Sequence, residues 1–164
     1  MERRRLNRSI DALALGLEKL LGLALIIAVL INFVNVVGRY IFGSTFISAD
    51  EVQIYIMVYI AFLGAAVATW RRIHLRMDVL VQRLPGGIKA VLAAAELVLI
   101  LVLASLVLYV SSGYVTQMAG LDARSQNAGI PMWIPHSALV LGFGLIAVLA
   151  VLQIFQLFRK GDGP

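Results

Sequence analysis

The stretch "AVLAAAELVLILVLASLVLYV", residues 90–110, decides the fold class, because Glu96 is its only charged residue. An α-helix of about 20 apolar residues crosses the roughly 30 Å of hydrocarbon in a bilayer. A strand of a membrane barrel would instead alternate polar and apolar residues over about ten positions. The stretch is apolar on every side. It therefore predicts a transmembrane helix, which extends over about residues 88–118.

Three more segments have the same character, at about residues 20–42, 52–70 and 135–158. The chain is 61% hydrophobic and 14% charged, whereas soluble domains carry roughly a quarter charged residues. Although the start resembles a signal peptide, its apolar run is long and no small-residue cleavage site follows, so we expect an uncleaved first span. The sequence predicts an all-α membrane protein, with residues 1–164 forming one membrane domain of four transmembrane helices.

The basic residues predict the orientation of these helices. Lysines and arginines cluster at the N-terminus, in the middle loop and at the C-terminus, while the other two loops contain only Arg39 and Arg124. The positive-inside rule places both termini and the middle loop in the cytoplasm. Because the clusters lie between apolar runs, the net charge of +5 indicates topology and does not indicate nucleic acid binding. In the middle loop, residues 72–84 show the pattern of a short amphipathic helix at the membrane interface.

Polar residues at membrane depth are the first candidate functional residues, since hydrocarbon makes them costly. Asn32, Asn35 and Arg39 share one helical face. They could bond within the chain's own helices, form a polar seam against another membrane subunit, or line a substrate or ion path. Glu96 could pair with an arginine near the inner interface, such as Arg71, pair with a partner subunit, or serve as a proton site. The residues alone leave these alternatives open.

Three further motifs lie near the ends of the predicted helices. Residues 48–51, "SADE", fit a capping box between Ser48 and Glu51, and Asp50 and Glu51 could also form an outward acidic patch. In the middle loop, His74, Arg76 and Asp78 could contact solvent, lipid or a subunit. Pro131 and Pro135 predict a rigid helix entrance near Pro135, with Trp133 at headgroup depth.

Three stretches together resemble one protein family: "NVVGRYIFGSTFISADEVQIY", "RRIHLRMDVL" and "AGIPMWIPHSALVLGFG". In this order they are similar to the small, DctQ-type membrane subunit of tripartite ATP-independent periplasmic (TRAP) transporters, over roughly residues 35–144. The family's motifs match Arg39, Tyr40 and Phe42, then Asp50 and Glu51, then His74, Arg76 and Asp78, and finally Gly129, Pro131, Trp133 and Pro135.

The resemblance implies a non-catalytic scaffold subunit of a sodium-driven importer of organic acids in the bacterial inner membrane. Its partners would be a large multi-span membrane subunit, which holds the sodium sites, and a periplasmic solute-binding protein, so no cofactor is expected in this chain. The residues expected to contact these partners are Asn32, Asn35, Arg39, Tyr40, Asp50, Glu51, His74, Arg76, Asp78, Glu96 and Trp133. The alternatives are a small homodimeric proton-coupled transporter that uses Glu96, and a membrane anchor or assembly protein.

Overall fold

A computed structural model of the chain describes residues 2–71 and 85–161. Four α-helices account for most of these residues: α1 Glu2–Phe42, α2 Ile47–Arg71, α3 Gly86–Gly120 and α4 Trp133–Gly161. Each contains a segment long and apolar enough to cross a membrane, which confirms the predicted all-α architecture with four membrane-length helices. The predicted amphipathic segment at residues 72–84, with His74, Arg76 and Asp78, lies outside the described residues.

The helices extend beyond the predicted membrane segments. α1 begins at Glu2, well before residue 20, and α2 begins at Ile47, before residue 52. Hydropathy identifies only the apolar part of a helix. The helix itself continues until it reaches a residue whose backbone conformation ends it. At the end of α1 that residue is Gly43, whose φ of +63° is a left-handed conformation that suits glycine. The Ser44 N–H then donates to the Gly38 carbonyl at 3.1 Å and closes the turn.

The spatial order of the helices differs from their order in the chain. α1 packs against α2, α2 against α4, and α4 against α3, so α1 and α3 lie at the two edges. The buried cluster consists of Ala66, Ala104 and Ile146, one residue each from α2, α3 and α4. Small residues at helix contacts are typical of membrane proteins, because backbones must approach closely when lipid supplies no hydrophobic driving force.

α2 and α4 come close together at Gly142. A Cβ atom added to this glycine would lie 2.7 Å from the Phe62 Cβ and 2.9 Å from the Phe62 carbonyl oxygen. The Phe62 ring also packs against the Phe143 ring, with centroids 5.7 Å apart. The absence of a side chain at Gly142 therefore sets the separation of these two helices.

Polar contacts join the helices at the end that contains the C-terminus of α2. The Trp70 indole donates to the Asp11 carboxylate at 2.8 Å, and Arg71 forms a two-point ion pair with Glu18 at 2.5 and 2.7 Å. These contacts hold α1 against α2. Arg71 was a predicted partner of Glu96, but its guanidinium pairs with Glu18, which lies on the neighbouring α1.

Candidate functional site

Two connections and the beginning of a helix meet at the opposite end of the molecule. They are the α1–α2 turn at residues 43–46, the first turn of α2, and the α3–α4 loop at residues 121–132. We call these three segments the rim. Polar side chains at the start of α2 bond to the α3–α4 loop, so the rim is an ordered surface.

The α3–α4 loop begins with a tight helix end. The Ala123 N–H donates to the Met118 carbonyl at 3.3 Å, and the Asp122 N–H donates to the Ala119 carbonyl at 3.4 Å. This pair of bonds defines a Schellman motif, which requires a left-handed residue just after the helix. Asp122 occupies that position with φ +45°. The chain therefore reverses direction directly after α3.

The remainder of the loop folds back on itself. The Ser125 N–H donates to the Ile130 carbonyl at 2.9 Å, and the Met132 N–H donates to the Ala123 carbonyl at 2.8 Å. The Ser125 hydroxyl accepts the Ile130 N–H at 3.1 Å. Gly129, with φ +66°, makes the reversal between the two sides. These bonds satisfy backbone groups that would otherwise need water at the membrane surface.

Glu51 fastens this loop to α2. Its carboxylate accepts the Asn127 N–H at 3.1 Å and the Ala128 N–H at 2.9 Å, and the Ser48 hydroxyl donates to the Asn127 carbonyl at 3.0 Å. The predicted capping box between Ser48 and Glu51 is therefore wrong. Both side chains bond to the loop, because adjacent backbone N–H groups there offer the carboxylate two charge-assisted bonds.

Glu51 is the first of three residues on one face of α2 that contact the α3–α4 connection. The Tyr55 hydroxyl lies 3.7 Å from the Met132 sulfur, and the Tyr59 hydroxyl donates to the Ile134 carbonyl at 2.7 Å. Sequence reasoning missed both tyrosines. The signal was present, because residues 51, 55 and 59 are spaced i, i+4, i+8 and share one side of a helix.

Both asparagines predicted as candidate functional residues join α1 to α2. The Asn35 amide, which is 4% exposed, donates to Asp50 at 3.0 Å and accepts the Phe46 N–H at 3.1 Å. One turn earlier in the chain, the Asn32 amide donates to the Gln53 side chain at 3.0 Å. The structure thus shows interhelical bonding within the chain for both asparagines.

The other predicted residues lie apart from this network. Arg39 is exposed in the last turn of α1, with its guanidinium 5.9 Å from the centre of the Tyr40 ring, and Tyr40 is 80% exposed. Trp133 is the first residue of α4, two residues before the predicted start at Pro135, which lies in the first turn. Glu96 lies in the half of α3 away from the rim, where it is partly buried and makes an interaction of its own.

The polar groups of the rim bond mainly to other parts of the chain. Within residues 2–71 and 85–161 there is no group of three or more His, Asp or Glu side chains that could hold a metal ion. In that same part of the chain, every buried polar side-chain atom has a hydrogen-bond partner. The fold and the rim together define an integral membrane protein of four membrane-length helices with an ordered rim at one end.

Comparison with known proteins narrows this class to one family. Residues 28–160 match the family described as the DctQ component of tripartite ATP-independent periplasmic transporters. The chain therefore belongs to this family and is a TRAP transporter small permease subunit, as the resemblance in the sequence predicted.

Individual relatives have the same description. A protein of Haemophilus influenzae named as a TRAP transporter small permease is 25% identical over 158 residues, which cover 94% of this chain and 92% of the relative. The ectoine TRAP transporter small permease protein of Halomonas elongata is 29% identical over 137 residues, covering 82% of this chain and 70% of the relative.

A third relative contains more than the small subunit. The isethionate TRAP transporter permease protein DctMQ of Oleidesulfovibrio alaskensis is 29% identical over 99 residues, which cover 60% of this chain but only 16% of the relative. Small permease subunits of this family work with a large permease subunit.

Proposed function

We propose that this chain is the non-catalytic scaffold subunit of a sodium-driven, binding-protein-dependent importer of organic acids. The observation that carries the proposal is how its buried polar side chains are used. Among the described residues, the buried polar side chains are Asn35, Thr69 and Gln153. Asn35 joins α1 to α2, and the Gln153 amide on α4 donates to the Thr69 carbonyl on α2 at 3.0 Å. A carrier needs polar groups available to a solute at membrane depth, whereas these three buried side chains make hydrogen bonds within the chain.

The proposed partner in the membrane is the large TRAP subunit, which would hold the substrate and the sodium sites. Support comes from the DctMQ relative, which matches this chain over 16% of a longer permease protein. In this proposal the small subunit widens the fixed part of the complex, and no sodium site or other cofactor site lies in this chain.

The proposed orientation places the rim on the periplasmic side of the bacterial inner membrane and both termini in the cytoplasm. The distribution of lysine and arginine supports it, because cytoplasmic segments are enriched in these residues. This orientation would place the segment at residues 72–84, an interfacial amphipathic helix in this proposal, at the inner leaflet. There His74, Arg76 and Asp78 would face the cytoplasmic side of the large subunit, while Glu96 would contribute to subunit contacts from within the membrane.

The rim would contribute to docking of the periplasmic solute-binding protein. Exposed groups in or beside the rim include Asp50 in the first turn of α2, Tyr40 near the end of α1 and Trp133 at the start of α4, of which Trp133 is 43% exposed. Glu51 would act indirectly, because its bonds to the α3–α4 loop hold the docking surface in shape. The named relatives support small solutes that carry an acid group, since ectoine contains a carboxylate and isethionate a sulfonate.

The orientation and the docking can be tested together, because the chain contains no cysteine. We expect Asp122→Cys, at the rim, to react with a membrane-impermeant maleimide in intact spheroplasts, and Gly87→Cys, at the other end of α3, to react only after lysis. Binding of the solute-binding protein to the two-subunit complex should weaken when Tyr40 and Trp133 are replaced by alanine. Labelling of Gly87→Cys in intact spheroplasts would overturn the orientation, and unchanged binding would overturn the docking role.

A further inference from the structure

A strip of polar side chains lies along the exposed side of the α1–α2 pair. It consists of Asn32 and Arg39 on α1 and Asp50 and Gln53 on α2, and we call it the polar strip. The Asn32 amide donates to the Gln53 side chain at 3.0 Å. Asn32, Arg39 and Asp50 are exposed, and Gln53 is half-buried. These residues form a polar surface on two helices of membrane-spanning length.

The polar strip has unused hydrogen-bonding capacity. Within the described part of the chain, Asn32 and Gln53 make one side-chain bond, the one between them. Two primary amides together have four N–H donors and two carbonyl acceptors, so one bond leaves most of this capacity free. Arg39 forms no ion pair with any residue in the described part of the chain, and its guanidinium lies over the Tyr40 ring.

The depth of each side chain in the membrane determines which molecules can bond to its free hydrogen-bonding groups. Asn32 lies ten residues before the end of α1 at Phe42, which corresponds to about 15 Å along the helix at about 1.5 Å per residue. Arg39 lies only about 5 Å from the same end by the same rise. A lipid phosphate at the interface could therefore reach Arg39. The Asn32–Gln53 pair lies deeper, where lipid tails offer no hydrogen-bonding groups.

We propose that the polar strip is the surface against which a transmembrane helix of the large subunit packs. This inference rests on the proposed function and specifies its membrane interface. The partner helix would present a carboxylate to Arg39 and a hydrogen-bonding side chain to the Asn32–Gln53 pair. These two groups would lie about 10 Å apart along the helix, or two turns, because seven residues separate Arg39 from Asn32. Ile54 and Met57, which are 56% and 52% exposed, would supply apolar contact beside them.

α3 offers a matched control surface at the other edge of the molecule. It contains exposed apolar residues at a similar distance from the rim, such as Val110, which is 62% exposed. It also has an exposed amide in Gln117, close to the rim, where headgroups and water can solvate it. If this part of α3, in the half of the helix away from Glu96, faces lipid while the polar strip faces the large subunit, equivalent changes on the two surfaces will have different effects.

The first experiment is photo-crosslinking of the full chain co-expressed with the large subunit of its transporter. A benzophenone amino acid is placed at Met57 or at Val110. We expect an adduct with the large subunit from Met57, at least tenfold more abundant than from Val110. Equal yields, a higher yield from Val110, or adducts with lipid alone at Met57 would overturn the inference.

The second experiment replaces the deep pair by Asn32→Leu with Gln53→Leu. Because both partners of one hydrogen bond become apolar, the change is tolerated by the isolated chain. We expect at least a tenfold loss of co-purified large subunit, with no loss for Gln117→Leu. Thermal stability of the isolated variant, unchanged within a few degrees, confirms that it folds.

The two possible failures are distinguishable. If the unmodified chain does not co-purify with the large subunit, the proposed function fails and this inference fails with it. If the unmodified chain co-purifies and the double variant does so equally well, only the location of the interface is wrong.

Discussion

The close approach of α2 and α4 at Gly142 gives the sharpest prediction about stability. Replacing Gly142 with alanine places a methyl group 2.7 Å from the Phe62 Cβ, 2.9 Å from its carbonyl oxygen and 3.0 Å from its carbonyl carbon. Ordinary van der Waals contact begins near 3.4 Å, so a shift of about 0.7 Å is needed to restore an ordinary contact with the Phe62 Cβ. Two of the three atoms belong to the backbone, so rotation of the Phe62 side chain cannot relieve the contact and α2 itself must move.

Overpacking of this kind costs about 1–3 kcal/mol. We expect a value in the upper part of that range, about 2–3 kcal/mol, because backbone atoms are displaced. For a chain of this length each kcal/mol corresponds to roughly 2–4 °C in melting temperature, which gives a decrease of about 5–10 °C. The assay is thermal unfolding of the purified chain in one detergent, followed by tryptophan fluorescence.

Two other glycines serve as controls. A Cβ at Gly144, on the same helix, would have its nearest contact at 3.8 Å, an ordinary distance, and a Cβ at Gly113 would have nothing within 4 Å. Gly144→Ala and Gly113→Ala should therefore be neutral or stabilising, since alanine favours a helix over glycine by about 1 kcal/mol. If Gly142→Ala melts within 2 °C or so of Gly144→Ala, the reasoning about helix separation is refuted.

Three smaller predictions concern the rim and the buried polar contacts. Glu51→Gln should accelerate proteolytic cleavage within residues 122–131, because the two backbone N–H groups bond to different carboxylate oxygens, one of which becomes an NH2 donor in glutamine; cleavage at the unmodified rate would contradict the anchoring role. Gly129→Ala should lower stability by about 1–2 kcal/mol, since its φ is left-handed and the surrounding space is open, and an unchanged melting temperature would show that this φ imposes no constraint. Gln153→Leu should cost about 1–3 kcal/mol by removing a buried amide that donates to the Thr69 carbonyl, and a melting temperature equal to that of the unmodified chain would refute this.

The number and type of helices could be predicted because hydrocarbon imposes a simple requirement on the sequence. Each crossing needs about 20 apolar residues in a helix, and the segment at residues 90–110 meets that requirement with one charged residue. The helix ends were harder to predict. Hydropathy does not detect the part of a helix that lies outside the hydrocarbon. For this reason the extension of α1 to Glu2 could not be predicted from hydropathy.

The contacts of the rim were only partly predictable. Helical spacing correctly grouped Asn32 with Asn35, and both bond to α2. Glu51 was assigned to a local capping box because residues 48–51 fit the Ser-x-x-Glu pattern of such a box. Its actual partners, Asn127 and Ala128, are more than 70 residues away, and no local pattern indicates that a loop will fold over the start of α2.

The spatial order of the helices could not be predicted from periodicity. Segments that are apolar all round give no preferred face, so the sequence does not indicate that α4 lies between α2 and α3. The helix order depends on residues with small side chains at the helix contacts. They are glycine at residue 142 and alanines at residues 66 and 104. Such residues are common throughout the spans, so only the structure shows which ones mark contacts.

In the proposed function, this chain supports transport without performing it. The most direct test is uptake of a radiolabelled organic acid into proteoliposomes under an inward sodium gradient, in the presence of the solute-binding protein. Vesicles with this chain alone should show no uptake, vesicles with the large subunit alone should show little, and vesicles with both should show sodium-dependent uptake. Sodium- or proton-driven uptake by this chain alone would contradict the account.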